Sequence, residues 1–113
     1  MTDDLEAFRH YREKMNAAIL AAGNLNINRF FALDGRSYEA GALPARTKEL
    51  LGLVASLVLR CDDCVTYHAV HAYRLGVTRA EQEESLTVAL VIGGSVVIPH
   101  LRRAYELLEE LYQ

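Results

Sequence analysis

The chain has 113 residues and a mass of 12.6 kDa, the size of one domain. Apolar residues make up 51% and charged residues 24%, with only 2 prolines, which excludes a disordered tail, a collagen-like repeat and a low-complexity linker. Lys and Arg number 12 against 15 Asp and Glu, a formal charge of −3, so no basic field is present to hold a nucleic-acid backbone.

The first residues, Met-Thr-Asp-Asp-Leu-Glu, are acidic and carry no apolar signal core, so a cytoplasmic protein is expected. Leu5, Phe8, Met15, Ala18, Ile19 and Ala22 recur at helical spacing and Gly23 stops the pattern. A shorter helix is predicted between Asn24 and Tyr38. Gly35, Gly41 and Pro44 punctuate the connection, and Pro44 suits the first position of a third helix. In that helix, Leu50, Leu51, Val54, Leu57 and Val58 form the predicted buried stripe. A break near Arg60–Asp62 opens a fourth helix ending at Gly76, with Asp62 or Asp63 as its N-cap. Thr78-Arg79-Ala80-Glu81 reads as a capping box for the fifth. Gly93-Gly94 interrupts that helix and Pro99 opens the last, with Leu101, Tyr105, Leu108 and Tyr112 on one side. The longest apolar run, from Leu86 to Pro99, is too short to span a bilayer and reads as a buried segment. The expected fold is all-α, a single domain of about six helices over residues 1–113. Apolar residues pointing several ways in the Leu86–Ile98 run predict a homo-oligomer, since contiguous exposed apolar surface marks interfaces.

The only two cysteines, Cys61 and Cys64, form one C-x-x-C at a predicted helix start. Outside an oxidising compartment such a pair is more often redox-active or metal-binding than structural. His68 follows Cys64 by one turn on the same face, and Glu49 is an odd acid inside an apolar helix. If the chain reverses near Asp62, Glu49 faces Cys64 and His68. Carboxylate, imidazole and thiol then form a possible relay: Glu49 orients His68, and His68 takes the proton from Cys64. The Asp62-Asp63 pair works against a thiolate. Alternatives are plain core packing of the cysteines or a metal site. A zinc set of Cys61, Cys64, His68 and His71 fails, because ten helical residues span about 15 Å. A partial set of Cys64, His68 and Glu49 stays open. His71 is a supporting or ordinary half-buried residue, and His10 and His100 are expected to be incidental.

The segment from Gly41 to Gly94 resembles the carboxymuconolactone decarboxylase superfamily, in particular its alkyl hydroperoxidase D-like branch. That branch shows E-x11-C-x2-C-x3-H, and Glu49, Cys61, Cys64 and His68 match every spacing. Gly41-Ala42-Leu43, Lys48-Glu49-Leu50 and the Gly76 stop also fit. The resemblance implies a helical fold assembled as homotrimers or homohexamers. It implies Cys64 as the peroxide-attacking cysteine, Cys61 as the resolving one, and His68 with Glu49 as the proton relay. It further implies a hydroperoxide substrate and an external dithiol or lipoyl-type reductant; no cofactor and no metal are expected. Asp63 stands where the branch carries a histidine. Two other readings remain: a non-catalytic helical oligomer with a redox-sensing cysteine pair, and a lactone decarboxylase on the same scaffold.

Overall fold

A computed structural model describes residues 3–113; Met1 and Thr2, at the start of the acidic N-terminal stretch, lie outside the described residues. Six α-helices follow one another: α1 (Asp3–Ala21), α2 (Leu25–Ser37), α3 (Ala45–Val58), α4 (Asp62–Arg74), α5 (Arg79–Gly93) and α6 (Ile98–Leu111). A 3₁₀ turn, Ser95–Val97, separates the last two, and no strand occurs among the described residues. The chain divides into two compact units, one ending at Glu39 and one spanning Ala40–Gln113. In the first, Asn24 caps α2 by accepting from the Ile27 N–H at 3.1 Å. No side chain of α2 is buried.

The second unit is organised around α3, which packs against both α4 and α5, while α6 packs against α4. Pro44 is the N-cap of α3 rather than its first residue. The predicted stripe on α3 is displaced. Its buried residues are Glu49, Leu53, Ser56 and Leu57, themselves spaced i, i+4, i+7, i+8, so only Leu57 belongs to both sets. Leu51 is exposed, and Leu50, Val54 and Val58 are half-buried. The displacement arises because a buried partner makes Glu49 tolerable in the interior, so polarity misidentifies the inward face. The core joins Leu53 and Leu57 to Val65, Ala69 and Ala72 of α4, Leu86 and Ala89 of α5, and Leu107, Leu108 and Leu111 of α6.

On α6 the buried face is Ala104, Leu107, Leu108 and Leu111, so of the predicted side only Leu108 is buried. Tyr112 instead donates its hydroxyl to the Val77 carbonyl at 2.6 Å and accepts from Gln82 Nε2 at 2.8 Å. Gln82 also donates to the Ala69 carbonyl at 3.0 Å, which ties α5 to α4. Burial pushes the Tyr112 phenol pKa up, against a smaller opposing effect of the Gln82 hydrogen bond. The Leu86–Ile98 run is only partly interior: Leu86, Ala89 and Val97 are buried, but Val88, Val91, Ile92 and Val96 are exposed, Val91 by 79%. Val88 and Ile92 join Leu50, Leu51, Val54 and Val58 in lining an apolar groove of about 580 Å³ between α3 and α5.

The predicted capping box is present: Thr78 Oγ1 accepts from the Glu81 N–H at 3.2 Å and Glu81 Oε1 accepts from the Thr78 N–H at 2.9 Å. Hydrogen bonding to its carboxyl from the Thr78 backbone and side chain, with the charge of Arg46, holds Glu81 below the ordinary carboxylate range. Among the described residues, no helix is long and apolar enough to cross a membrane.

Candidate functional site

The turn between α3 and α4 is where local sequence sets the site. The Cys61 N–H bonds the Ser56 carbonyl at 3.0 Å and the Arg60 N–H bonds the Leu57 carbonyl at 2.9 Å. This double closure satisfies the last carbonyls of α3 and requires a left-handed residue between them. That residue is Arg60, at φ 60°, the only non-glycine with positive φ among the described residues. The same closure ends α4, where Val77 bonds Ala72 and Gly76 bonds Tyr73. There the left-handed residue is Gly76, at φ 84°, which has no Cβ to clash.

The turn delivers Cys61 as the N-cap of α4, in place of the predicted Asp62 or Asp63. Its sulfur accepts the Cys64 N–H at 3.2 Å. The sulfur is a larger, softer acceptor than the usual oxygen, which is why cap preferences point past it. Cys61 and Cys64 are joined as a disulfide with Cα atoms 5.2 Å apart. Cys64 is exposed and Cys61 half-buried. Both sulfurs thus sit in the first turn of a helix, where unpaired N–H groups stabilise negative charge.

Glu49 and His68 are 4% and 7% exposed, and Glu49 Oε2 accepts from His68 Nδ1 at 2.8 Å. Pairing Glu49 with His68 and Ser56 with Cys61 requires α3 and α4 to run antiparallel, as the sequence leads one to expect. With Nδ1–H committed to the carboxylate, Nε2 is the ring nitrogen that can exchange a proton. His68 lies one turn after Cys64, and Cβ atoms at that spacing are about 5–6 Å apart. Three of the four predicted residues therefore share the first two turns of α4, and the fourth reaches the third by a direct hydrogen bond.

Gly52 is a position at the candidate site that sequence reasoning passed over. A Cβ built there would lie 2.6 Å from His68 Cε1 and 2.7 Å from Nδ1, so the imidazole is seated on the bare backbone of α3. Its signal is a glycine within a helical pattern, which lowers helix propensity without a local reason. Tyr67 packs edge-on against His68 at 5.1 Å and lies tilted against His71 at 4.2 Å. His71 is thus linked to the site through Tyr67.

His100 is not incidental. Its Nδ1–H donates to Asp62 Oδ1 at 2.8 Å, and Arg103 pairs with the other carboxylate oxygen. Partial burial alone would raise the Asp62 pKa, but the hydrogen bonds from His100 and Arg103 and the electrostatic effect of the two side chains outweigh it and hold the carboxyl below the ordinary range. The acidic middle of the C-x-x-C is therefore one exposed carboxylate, Asp63, and one compensated carboxylate, Asp62. Sequence carries no signal for pairs 38 and 41 residues apart. Among the described residues, no three His, Cys, Asp or Glu side chains converge as a metal site.

The profile of the carboxymuconolactone decarboxylase family matches residues 27–109, which include the whole site. The chain belongs to this family. Two crystal structures of a Thermotoga maritima protein share 52% identity with it, with TM-scores of 0.92 and 0.90. The alignments cover 95% and 94% of this chain and 94% and 90% of the other. That protein is described as a family member proposed to take part in an antioxidative response. A family protein of Legionella pneumophila, 24% identical, shares the fold at a TM-score of 0.88, covering 99% of this chain and all of its own. An uncharacterized protein of Cupriavidus necator is 30% identical over 94 residues, 83% of each chain. An uncharacterized protein of the Paracoccus denitrificans cox locus is 30% identical over 82 residues, 73% of this chain and 74% of its own.

Proposed function

We propose that this family member is a thiol-dependent peroxidase or disulfide oxidoreductase, with Cys64 as the attacking cysteine, Cys61 as the resolving one, and His68 with Glu49 as the proton relay. The observation that carries this reading is the buried Glu49–His68 pair one helical turn from a Cys61–Cys64 pair that closes as a disulfide. The exposure of Cys64 against the half-burial of Cys61 supports their order of action. The antioxidative role proposed for the Thermotoga maritima relative agrees with it.

In the proposed cycle His68 takes the proton of Cys64, and the thiolate attacks the terminal oxygen of a hydroperoxide. The O–O bond breaks, the sulfur becomes a sulfenic acid, and His68 returns the proton to the departing alkoxide, which leaves as an alcohol. Cys61 then attacks the sulfenic sulfur; its own proton and the displaced hydroxide leave as water, and the disulfide remains. An external dithiol or lipoyl-type compound supplies the two electrons that restore both thiols.

The proposal extends to a cytoplasmic protein with one domain over residues 1–113, assembled as a homotrimer or homohexamer. Its apolar groove between α3 and α5 and the exposed Val88, Val91 and Ile92 supply the kind of surface that subunits cover. Mass spectrometry of the reduced protein after one equivalent of peroxide should find the Cys61–Cys64 disulfide. Peroxide consumption that persists in Cys64→Ser would overturn the mechanism.

A further inference from the structure

Asp62 is the first residue of α4 and stands between the two cysteines. Residues two apart on a helix have Cα atoms about 5.4 Å apart. The Asp62 carboxylate thus lies within a Debye length of the Cys64 sulfur, where a bare negative charge disfavours a thiolate. The chain does not leave it bare. His100 and Arg103, one turn apart on α6, each hold one of its oxygens. An acid in the first turn of a helix is already favourable without a partner. A partly exposed ion pair also contributes little to stability, at the expense of ordering a long side chain. Stability is thus a weak reason for His100 and Arg103 to converge from α6 on this carboxylate. The chemistry of the neighbouring sulfur is a stronger one.

We propose that His100 and Arg103 are positioning residues of the cysteine pair: by pairing with Asp62 they withdraw its charge from the first turn of α4 and keep Cys64 ionisable. The significance of this rests on the thiol chemistry proposed above, but its measurement does not. Asp63, the other charge in that turn, is exposed and points the same way electrostatically as an unpaired Asp62. Compensating Asp62 therefore halves the negative charge that the motif brings to its own sulfurs. One uncompensated charge within about a Debye length, in surroundings between water and protein surface, raises a thiol pKa by about half a unit to one unit.

The test is the pH dependence of iodoacetamide alkylation of Cys64 in the full chain carrying Cys61→Ser, which leaves one thiol and a serine that can still cap α4. His100→Gln with Arg103→Gln should raise the Cys64 pKa by about half a unit to one unit. Arg103→Gln alone, at a side chain that is 71% exposed and so tolerant of change, should give part of that rise. Asp62→Asn breaks the same contacts but removes the charge, so it should leave the pKa unchanged or lower it. Added to the double variant, it should return the pKa to the parent value or below. A rise on Asp62→Asn matching that of the double variant would mean that the contacts act only by holding α6 in place, and would overturn the proposal. An unchanged pKa in the double variant would overturn it as well. Alkylation requires no turnover, so a protein that failed to consume peroxide would defeat the proposed function and leave this result readable.

Discussion

Replacing Gly52 by alanine tests whether the seat of His68 is as tight as the geometry indicates. The added Cβ would lie 2.6, 2.7 and 2.8 Å from three ring atoms of His68, closer than non-bonded atoms approach, so the ring must move. Its Nδ1 is held at 2.8 Å by the buried Glu49, so moving the ring stretches or breaks that bond. Overpacking of this kind costs about 1–3 kcal/mol, and a buried carboxylate deprived of its donor about 1–3 kcal/mol more. Alanine's better helix propensity returns about 1 kcal/mol. The net is a loss of roughly 1–5 kcal/mol, a fall in melting temperature of at least about 4 °C for a chain near this size. Activity should fall further than stability does. If His68 is the proton relay, displacing it removes a contribution of about 10²–10⁴-fold, read as the rate of peroxide consumption at a temperature where the variant remains folded. A Gly52→Ala protein with the parent melting temperature and the parent rate would refute the reasoning. Lost stability with an unchanged rate would separate the packing argument, which would stand, from the relay, which would not.

Arg60→Gly should stabilise the protein by about 0.5–1 kcal/mol, because the left-handed backbone at this exposed position strains any residue with a Cβ; a urea midpoint shifted to lower concentration would contradict this. Tyr112→Phe should destabilise by about 1–3 kcal/mol, since it strips a hydrogen bond from the fully buried Gln82, whose Oε1 already lacks a partner among the described residues; thermal melting measures it. The Asp62 carboxyl has its pKa lowered in the folded state, so its stabilising pairing is complete above the unfolded value near 3.9 and is lost as pH falls through the folded value. Asp62→Asn should therefore be less stable than the parent at pH 6, by about 1 kcal/mol or less for a pair this exposed. The difference should shrink below about pH 4, and a gap that widens on acidification would contradict the sign. Sedimentation equilibrium at micromolar concentration should give an assembly, and a clean 12.6 kDa species would refute it.

The fold was legible where backbone chemistry is local. Thr78 and Glu81 announce their own capping box, Gly23 and Gly76 stop their helices, and Gly93-Gly94 interrupts α5 as expected. What misled was polarity used as a guide to burial. On α3 the apolar stripe Leu50–Val58 contains one fully buried residue, Leu57, while Glu49 and Ser56 are buried beside Leu53. An apolar face can as well look outward into a groove, and nothing in a helical period tells one from the other. The quartet Glu49, Cys61, Cys64 and His68 was legible because its spacing is a property of two adjacent helices and one turn. His100 and Arg103 were not, because their relation to Asp62 is made only when α6 returns to α4. Gly52 falls between. Its oddity shows in the sequence, but its reason is a ring supplied by another helix.

The turn carrying the cysteines couples the site to the fold. A glycine at position 60 would close α3 with less strain, as Gly76 does for α4. Yet whichever residue stands at 60, the paired closure onto Ser56 and Leu57 fixes where residue 61 falls. That position is the cap of α4, where a side-chain acceptor can satisfy the N–H of the third helical residue. Cysteine at 61 does so with its sulfur, which places the acceptor beside the amide of Cys64. The spacing of three that lets two sulfurs bond is thus also the spacing by which a helix start is capped. The same antiparallel return brings Glu49 and Gly52 opposite His68. One turn geometry therefore aligns the pair of sulfurs, the buried carboxylate and the seat of the imidazole. Inserting a single residue between Leu59 and Cys61 should separate them: each helix would persist, but the cap, the closure and the Glu49–His68 register would no longer coincide. Near-native helical circular dichroism with slowed disulfide formation after peroxide is the expected result, and an insertion variant that closes its disulfide at the parent rate would show that the register does not matter.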